Sequence, residues 1–133
     1  FHGTKLSIRE IHWGLVPDMG ISETLPPLIG ADRAKLLTYS GQIISGEEAG
    51  RLGLVTQVAD DPQARALELA QEIAGRSPDA VRAAKRLIDS AWAGAPQLAL
   101  ETGLQVGLIG SPNQIAAAVA AFSGEPAQFA DPE

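Results

Sequence analysis

Glu10 and Asp18 are the residues best placed to do chemistry. They lie eight positions apart in "REIHWGLVPDMG", Arg9 to Gly20, among the apolar residues Ile11, Trp13, Leu15, Val16 and Met19. An extended chain would hold them about 26 Å apart, too far to act on one substrate. One straight helix would set them about 12 Å apart along its axis and roughly 80° apart around it. Gly14, Pro17 and Gly20 interrupt both regular forms, so the segment is expected to fold back on itself. Two carboxylates brought to one apolar pocket differ in their hold on a proton, the arrangement that acid–base catalysis exploits. The structural alternative makes Glu10 a strand-end charge paired with Arg9 or Lys5, and Asp18 the N-cap of the helix that follows. On spacing alone the structural alternative carries more weight, because acids near turns are common.

Other candidates are weaker. His12 alternates with apolar positions and fits a strand end better than a general base. Trp13 fits the core or a pocket wall. Gly14, Gly20 and Gly30 make no phosphate-cradling pattern. "RAAKR", Arg82 to Arg86, is a basic patch of the kind that usually forms a solvated helix face. With two histidines and no cysteine, a metal cluster, a thiol nucleophile and a disulfide framework are not expected.

The elements that must position these residues change in character along the chain. "KLSIREI", Lys5 to Ile11, alternates as a half-buried strand does. "WGLVPDMG" is turn chemistry. "ISETLPPLIG" predicts a short helix stopped by Pro26-Pro27, and a second helix covers about Asp32 to Thr38. "SGEEAGRLG" combines Ser45 as N-cap, Glu48 as its capping-box partner and Gly53 as the stop. "LVTQVA" predicts a short strand. Beyond Pro62 the chain is helical: Ala66, Leu69, Ala70 and Ile73 fall at helical spacing, and Gly75 ends that helix. Ser77-Pro78 opens another, with Val81, Ala84, Ile88, Ala91 and Trp92 on one face. Gly94-Ala95-Pro96 breaks it, a further helix spans about Gln97 to Ile109, and Ser111-Pro112 starts a last one through Phe122. The tail "SGEPAQFADPE" is expected to be partly ordered.

Bulk properties bound the function. The 133 residues carry 45% hydrophobic and 20% charged side chains, a globular balance with a single domain's worth of chain. The net charge of −6 argues against a nucleic-acid surface. No apolar run approaches the roughly 20 residues that span a bilayer. Phe1-His2-Gly3-Thr4 lacks the pattern of a signal peptide, so a cytoplasmic location is the expectation. The chain starts at Phe1 and enters a strand-like run almost at once, as if in the middle of a fold.

"EIHWGLVPDMG", "LPPLIG", "LLTYSGQIISGEEAGRLGLVTQV" and "IAGRSPDAVRAAKRLI", in this order, resemble the C-terminal half of the crotonase superfamily, the enoyl-CoA hydratase/isomerase family. The resemblance covers essentially the whole chain. It implies an α/β fold, mostly helical in this segment: residues 1–76 would complete a ββα spiral core and residues 77–133 a helical region through which relatives form trimers, often paired into hexamers. Val81, Ile88, Trp92, Leu98, Leu104, Val106, Leu108 and Ile109 suit such an interface.

The resemblance also implies roles for the opening pair. Glu10 matches the family's second catalytic glutamate. Asp18 falls where hydratases carry a glycine and dienoyl-CoA isomerases an aspartate. Trp13, Leu15, Pro17 and Gly20 would line the acyl site. The substrate would be an unsaturated acyl-CoA thioester of fatty-acid β-oxidation chemistry, with CoA as part of the substrate and no separate cofactor or metal. The usual Gly-Thr-Gln-Arg run is replaced by Ile21-Ser22-Glu23-Thr24. The oxyanion donors, the first hydratase glutamate and most of the CoA pocket belong to the family's N-terminal half, so these residues alone are expected to be inactive. A non-catalytic helical assembly module is the alternative.

Overall fold

The computed structural model describes residues 1–13, 15–94 and 98–131. The chain divides into two compact units, Phe1–Arg65 and Ala66–Glu133. The elements are β1 (Lys5–Leu6), a 3-10 turn (Glu10–Trp13), α1 (Ile21–Ile29), α2 (Ala31–Ser40), β2 (Ile44–Ser45), α3 (Gly46–Leu52), α4 (Pro62–Ala74), α5 (Pro78–Trp92), α6 (Leu98–Leu108) and α7 (Pro112–Ser123).

The first unit is built on burial. Leu25 and Ile29 of α1, Ala34 and Leu37 of α2, Ile44 of β2 and Ala49 of α3 form its core, backed by Leu6, Ile8, Ile21, Leu52, Leu54 and Val55. β1 and β2 pair antiparallel, Lys5 opposite Ser45 and Leu6 opposite Ile44. The expected strand over Lys5–Ile11 is therefore cut to Lys5–Leu6. A strand persists only where a neighbour supplies a ladder, and β2 is two residues long. The same reason removes the strand expected for "LVTQVA". Leu54 instead donates its N–H to the Ala49 carbonyl (2.9 Å) behind α3, and Leu54 and Val55 pack on the core.

Two helix boundaries also differ from expectation. Pro26 and Pro27 lie inside α1 and do not stop it. The carbonyls their absent N–H groups leave unpaired, those of Ser22 and Glu23, belong to exposed residues that water can satisfy. The helix ends at Gly30, whose N–H donates to the Pro26 carbonyl. α2 extends beyond the expected range at both ends, to Ala31 and Ser40.

Side-chain caps start several helices. Ser45 Oγ accepts from the Glu48 N–H (3.1 Å) and Gly53 closes α3. The Glu48 carboxylate meets Arg51, in place of the expected return to the N-cap backbone. Asp61 Oδ1 accepts from the Ala64 N–H (2.9 Å) at the start of α4.

In the second unit α5 packs against α6 and α7, and Ser77 and Ser111 cap α5 and α7 as their Ser-Pro pairs predict. Here the buried residues among those described are polar, Ser77 and Asn113, whereas Ile88, Trp92, Leu98, Val106, Ile109, Val119 and Phe122 are exposed. Asn113 Nδ2 donates to Asp79 Oδ2 (2.8 Å) and to the Ala130 carbonyl (3.0 Å), and Asn113 Oδ1 accepts from the Ala130 N–H (2.8 Å). The tail expected to be partly ordered is thus tied down at Ala130. Gly14, Ala95, Pro96 and Gln97, invoked as breaks or as a helix start, lie outside the described residues. No single helix is long and apolar enough to cross a membrane among the described residues.

Candidate functional site

The site is assembled where the chain leaves β1. From Leu6 the backbone passes through Ser7, Ile8 and Arg9 and closes into the 3-10 turn that begins at Glu10. The His12 N–H donates to the Arg9 carbonyl (3.0 Å) and the Leu15 N–H to the Glu10 carbonyl (3.1 Å), so the backbone of Glu10 is fixed from both sides. Its side chain is half-buried. The expected ion pair with Arg9 or Lys5 is absent among the described residues, which leaves the carboxylate available for other work.

Asp18 is exposed. Its backbone carbonyl, not its carboxylate, meets α1, accepting from the Ile21 N–H at 3.3 Å. The N-cap of α1 is Gly20, with no side-chain cap bond, so the helix-cap alternative for Asp18 is corrected. The physical cause lies in the backbone. Met19 and Gly20 both adopt left-handed conformations, φ 58° and 78°, and the Gly20 carbonyl takes the Glu23 and Thr24 N–H bonds directly.

Between these acids the loop turns its apolar side chains outward. Trp13 is 79% exposed, Leu15 61%, Val16 82% and Met19 96%. Trp13 is therefore not a core residue; no element among the described residues covers it. Pro17 is half-buried and, with Val16, Ile21, Leu25, Lys35 and Tyr39, lines an open groove of about 470 Å³ beside α1 and α2. A smaller cavity of about 190 Å³ lies between β1 and the core helices, lined by Leu6, Ile8, Ile21, Leu37 and Leu54. Neither Glu10 nor Asp18 lines either space. No group of three or more metal-ligating acids or histidines occurs among the described residues.

Two residues of the site escaped sequence reasoning. Ser7 Oγ donates to the Gly41 carbonyl (2.9 Å), and Gly41 also lies against Ile11 and His12. The only local signal was the Ser-Gly pair that ends α2.

The chain matches the family model described as enoyl-CoA hydratase/isomerase over residues 3–122. It is 32% identical to the human (Homo sapiens) mitochondrial methylglutaconyl-CoA hydratase over 108 residues, 77% of this chain and 31% of that protein. It is 42% identical over 90 residues to the mitochondrial enoyl-CoA hydratase domain-containing protein 2 of Bos taurus, covering 63% of this chain and 30% of that one. Among solved structures it superimposes on an enoyl-CoA hydratase from Bacillus anthracis with a TM-score of 0.87 and 30% identity, over 95% of this chain and 50% of the other. DspI of Pseudomonas aeruginosa gives a TM-score of 0.86 and 32% identity, over 97% and 51%. The chain thus spans about a third of the length of the curated relatives and about half that of the solved structures. The expected fold class is confirmed by these likenesses, and the chain belongs to the enoyl-CoA hydratase/isomerase family of the crotonase superfamily.

Proposed function

We propose that this chain supplies the proton-transfer half of an acyl-CoA hydratase/isomerase, with Glu10 as the principal acid–base and Asp18 as its partner. The observation that carries the proposal is Glu10 itself: half-buried, with its carbonyl held by the Leu15 N–H and the preceding Arg9 carbonyl by the His12 N–H, without a cation beside it among the described residues, and followed by an apolar loop that faces outward. A carboxylate without a counter-ion is free to take a proton, and an exposed apolar loop suits the chain of a thioester.

For double-bond migration the Glu10 carboxylate takes a proton from the activated carbon, the C–H pair shifts into the conjugated system, and negative charge gathers on the thioester oxygen. Asp18 then delivers a proton further along the acyl chain, and the two acids exchange the difference through solvent. Donors for the thioester oxygen would come from a complementary N-terminal segment. Trp13, Leu15, Pro17 and Gly20 would border the acyl chain, and CoA is part of the substrate, with no other cofactor. The location is cytoplasmic in this proposal. Residues 1–76 serve the core, and residues 77–133 self-association as trimers or hexamers. The outward apolar faces of α5 to α7 support that second role, and would support a purely structural module if the acids proved idle.

The test is a paired assay of a 2-enoyl-CoA and a dienoyl-CoA on the full-length enzyme. Glu10→Gln is expected to lower both activities by about 10²–10⁴-fold, and Asp18→Asn to lower dienoyl isomerisation by a similar factor while sparing hydration. Wild-type turnover by Glu10→Gln would refute the proposal. Wild-type isomerisation by Asp18→Asn would leave Glu10 as the sole acid. The 133 residues alone are expected to show no turnover.

A further inference from the structure

We infer that Gly41 is a positioning residue for Glu10, the seat on which the Glu10–Trp13 turn rests. This rests on the proposal that Glu10 transfers the proton.

Gly41 ends α2 in the left-handed conformation, φ 57°, and is buried. It touches the chain on both sides of Glu10. Three residues before, Ser7 Oγ holds the Gly41 carbonyl at 2.9 Å. Just after, Ile11 and His12 lie so close that a Cβ on Gly41 would stand 3.0 Å from Ile11 Cγ2, 2.9 Å from His12 Cε1 and 3.0 Å from His12 Nε2.

The two crowded neighbours answer differently. His12 is exposed, and its ring can swing aside at little cost. Ile11 is β-branched, and its Cγ2 sits one bond from Cβ on a stiff χ1, so pressure there passes to the backbone adjoining Glu10. Relief requires a shift of a few tenths of an ångström. An error of about 1 Å in a reacting group costs roughly 10²-fold, so such a shift is worth about tenfold in kcat.

Gly53 provides the matched control. It ends α3, is also left-handed at φ 84°, and a Cβ there would meet nothing nearer than the Leu28 carbonyl at 3.5 Å. An alanine at either position bears a left-handed backbone penalty, and only the one at residue 41 presses on the turn.

The experiment compares Gly41→Ala with Gly53→Ala in the full-length enzyme, using a four-carbon 2-enoyl-CoA. Both are expected to lose thermal stability, Gly41→Ala the more because its Cβ also meets Ile11 and His12. Gly41→Ala should lose about tenfold in kcat with KM changed far less, and Gly53→Ala should keep kcat. Adding Ile11→Ala to Gly41→Ala should restore kcat in part, as a double-mutant cycle requires of a direct contact. Hydrogen exchange at the Leu15 amide, bonded to the Glu10 carbonyl, should quicken in Gly41→Ala alone. Equal kcat and equal Leu15 exchange in the two glycine variants would overturn the inference. If Gly41→Ala does not fold, Ser7→Ala removes the other clamp without adding bulk, and unchanged Leu15 exchange there overturns it equally. Glu10→Gln separates the two levels: full turnover by that variant refutes Glu10 as the reacting acid, while Leu15 exchange still decides whether Gly41 seats the turn.

Discussion

Replacing Asn113 by alanine should release the C-terminal tail, and the structure sets the size of the effect. The variant deletes three hydrogen bonds at once: two to the backbone of Ala130 and one to the Asp79 carboxylate, at 2.8–3.0 Å. A neutral bond contributes about 0.5–1.5 kcal/mol net and one to a charged group about 1.5–3 kcal/mol. Against this, alanine no longer has to bury an amide that is 3% exposed, and the freed Ala130 groups regain water because that residue is at the surface. The balance is a loss of about 2–3 kcal/mol, or close to two decades in local protection of the Ala130 amide. Asp79→Asn, which keeps an acceptor oxygen facing Asn113, should lose only about 1 kcal/mol. Hydrogen exchange of the full chain read at Ala130, with urea unfolding beside it, measures both. Unchanged Ala130 protection in Asn113→Ala would refute the idea that this side chain holds the tail.

Leu37→Ala, in the core of the first unit, should destabilise by about 2–5 kcal/mol in a urea titration, since Leu37 is 5% exposed. Ser45→Ala removes the bond from the Glu48 N–H and should cost about 1 kcal/mol by the same measurement. If α5 carries an assembly face, Ile88→Glu with Trp92→Glu should shift the protein to smaller species in light scattering at micromolar concentration, because both residues are exposed as a monomer; an unchanged mass would exclude that face.

Local rules were enough to read much of this protein. Ser45, Ser77 and Ser111 cap helices because a side-chain oxygen and a nearby N–H lie within a few residues of each other, and no distant contact can easily override that pairing. The helices of residues 62–123 follow from spacing for the same reason, and the order of segments between Glu10 and Ile88 was enough to resemble the family to which the chain belongs. Strands were legible only as alternation. "KLSIREI" carries the pattern, but a ladder needs a partner edge, and the fold supplies β1 with two residues of one. The prolines of α1 show the converse: a rule about helix breaking depends on whether the unpaired carbonyls reach water, which is a tertiary fact. At the candidate site, the sequence by itself determined the acids and their apolar setting. The tertiary structure decided that Trp13 faces outward, that Asp18 offers α1 only its carbonyl, and that Gly41, 31 positions after Glu10 in the chain, lies against the turn that carries it. Such contacts join residues through the packing of α2 on the turn, and no window of sequence contains both sides of them.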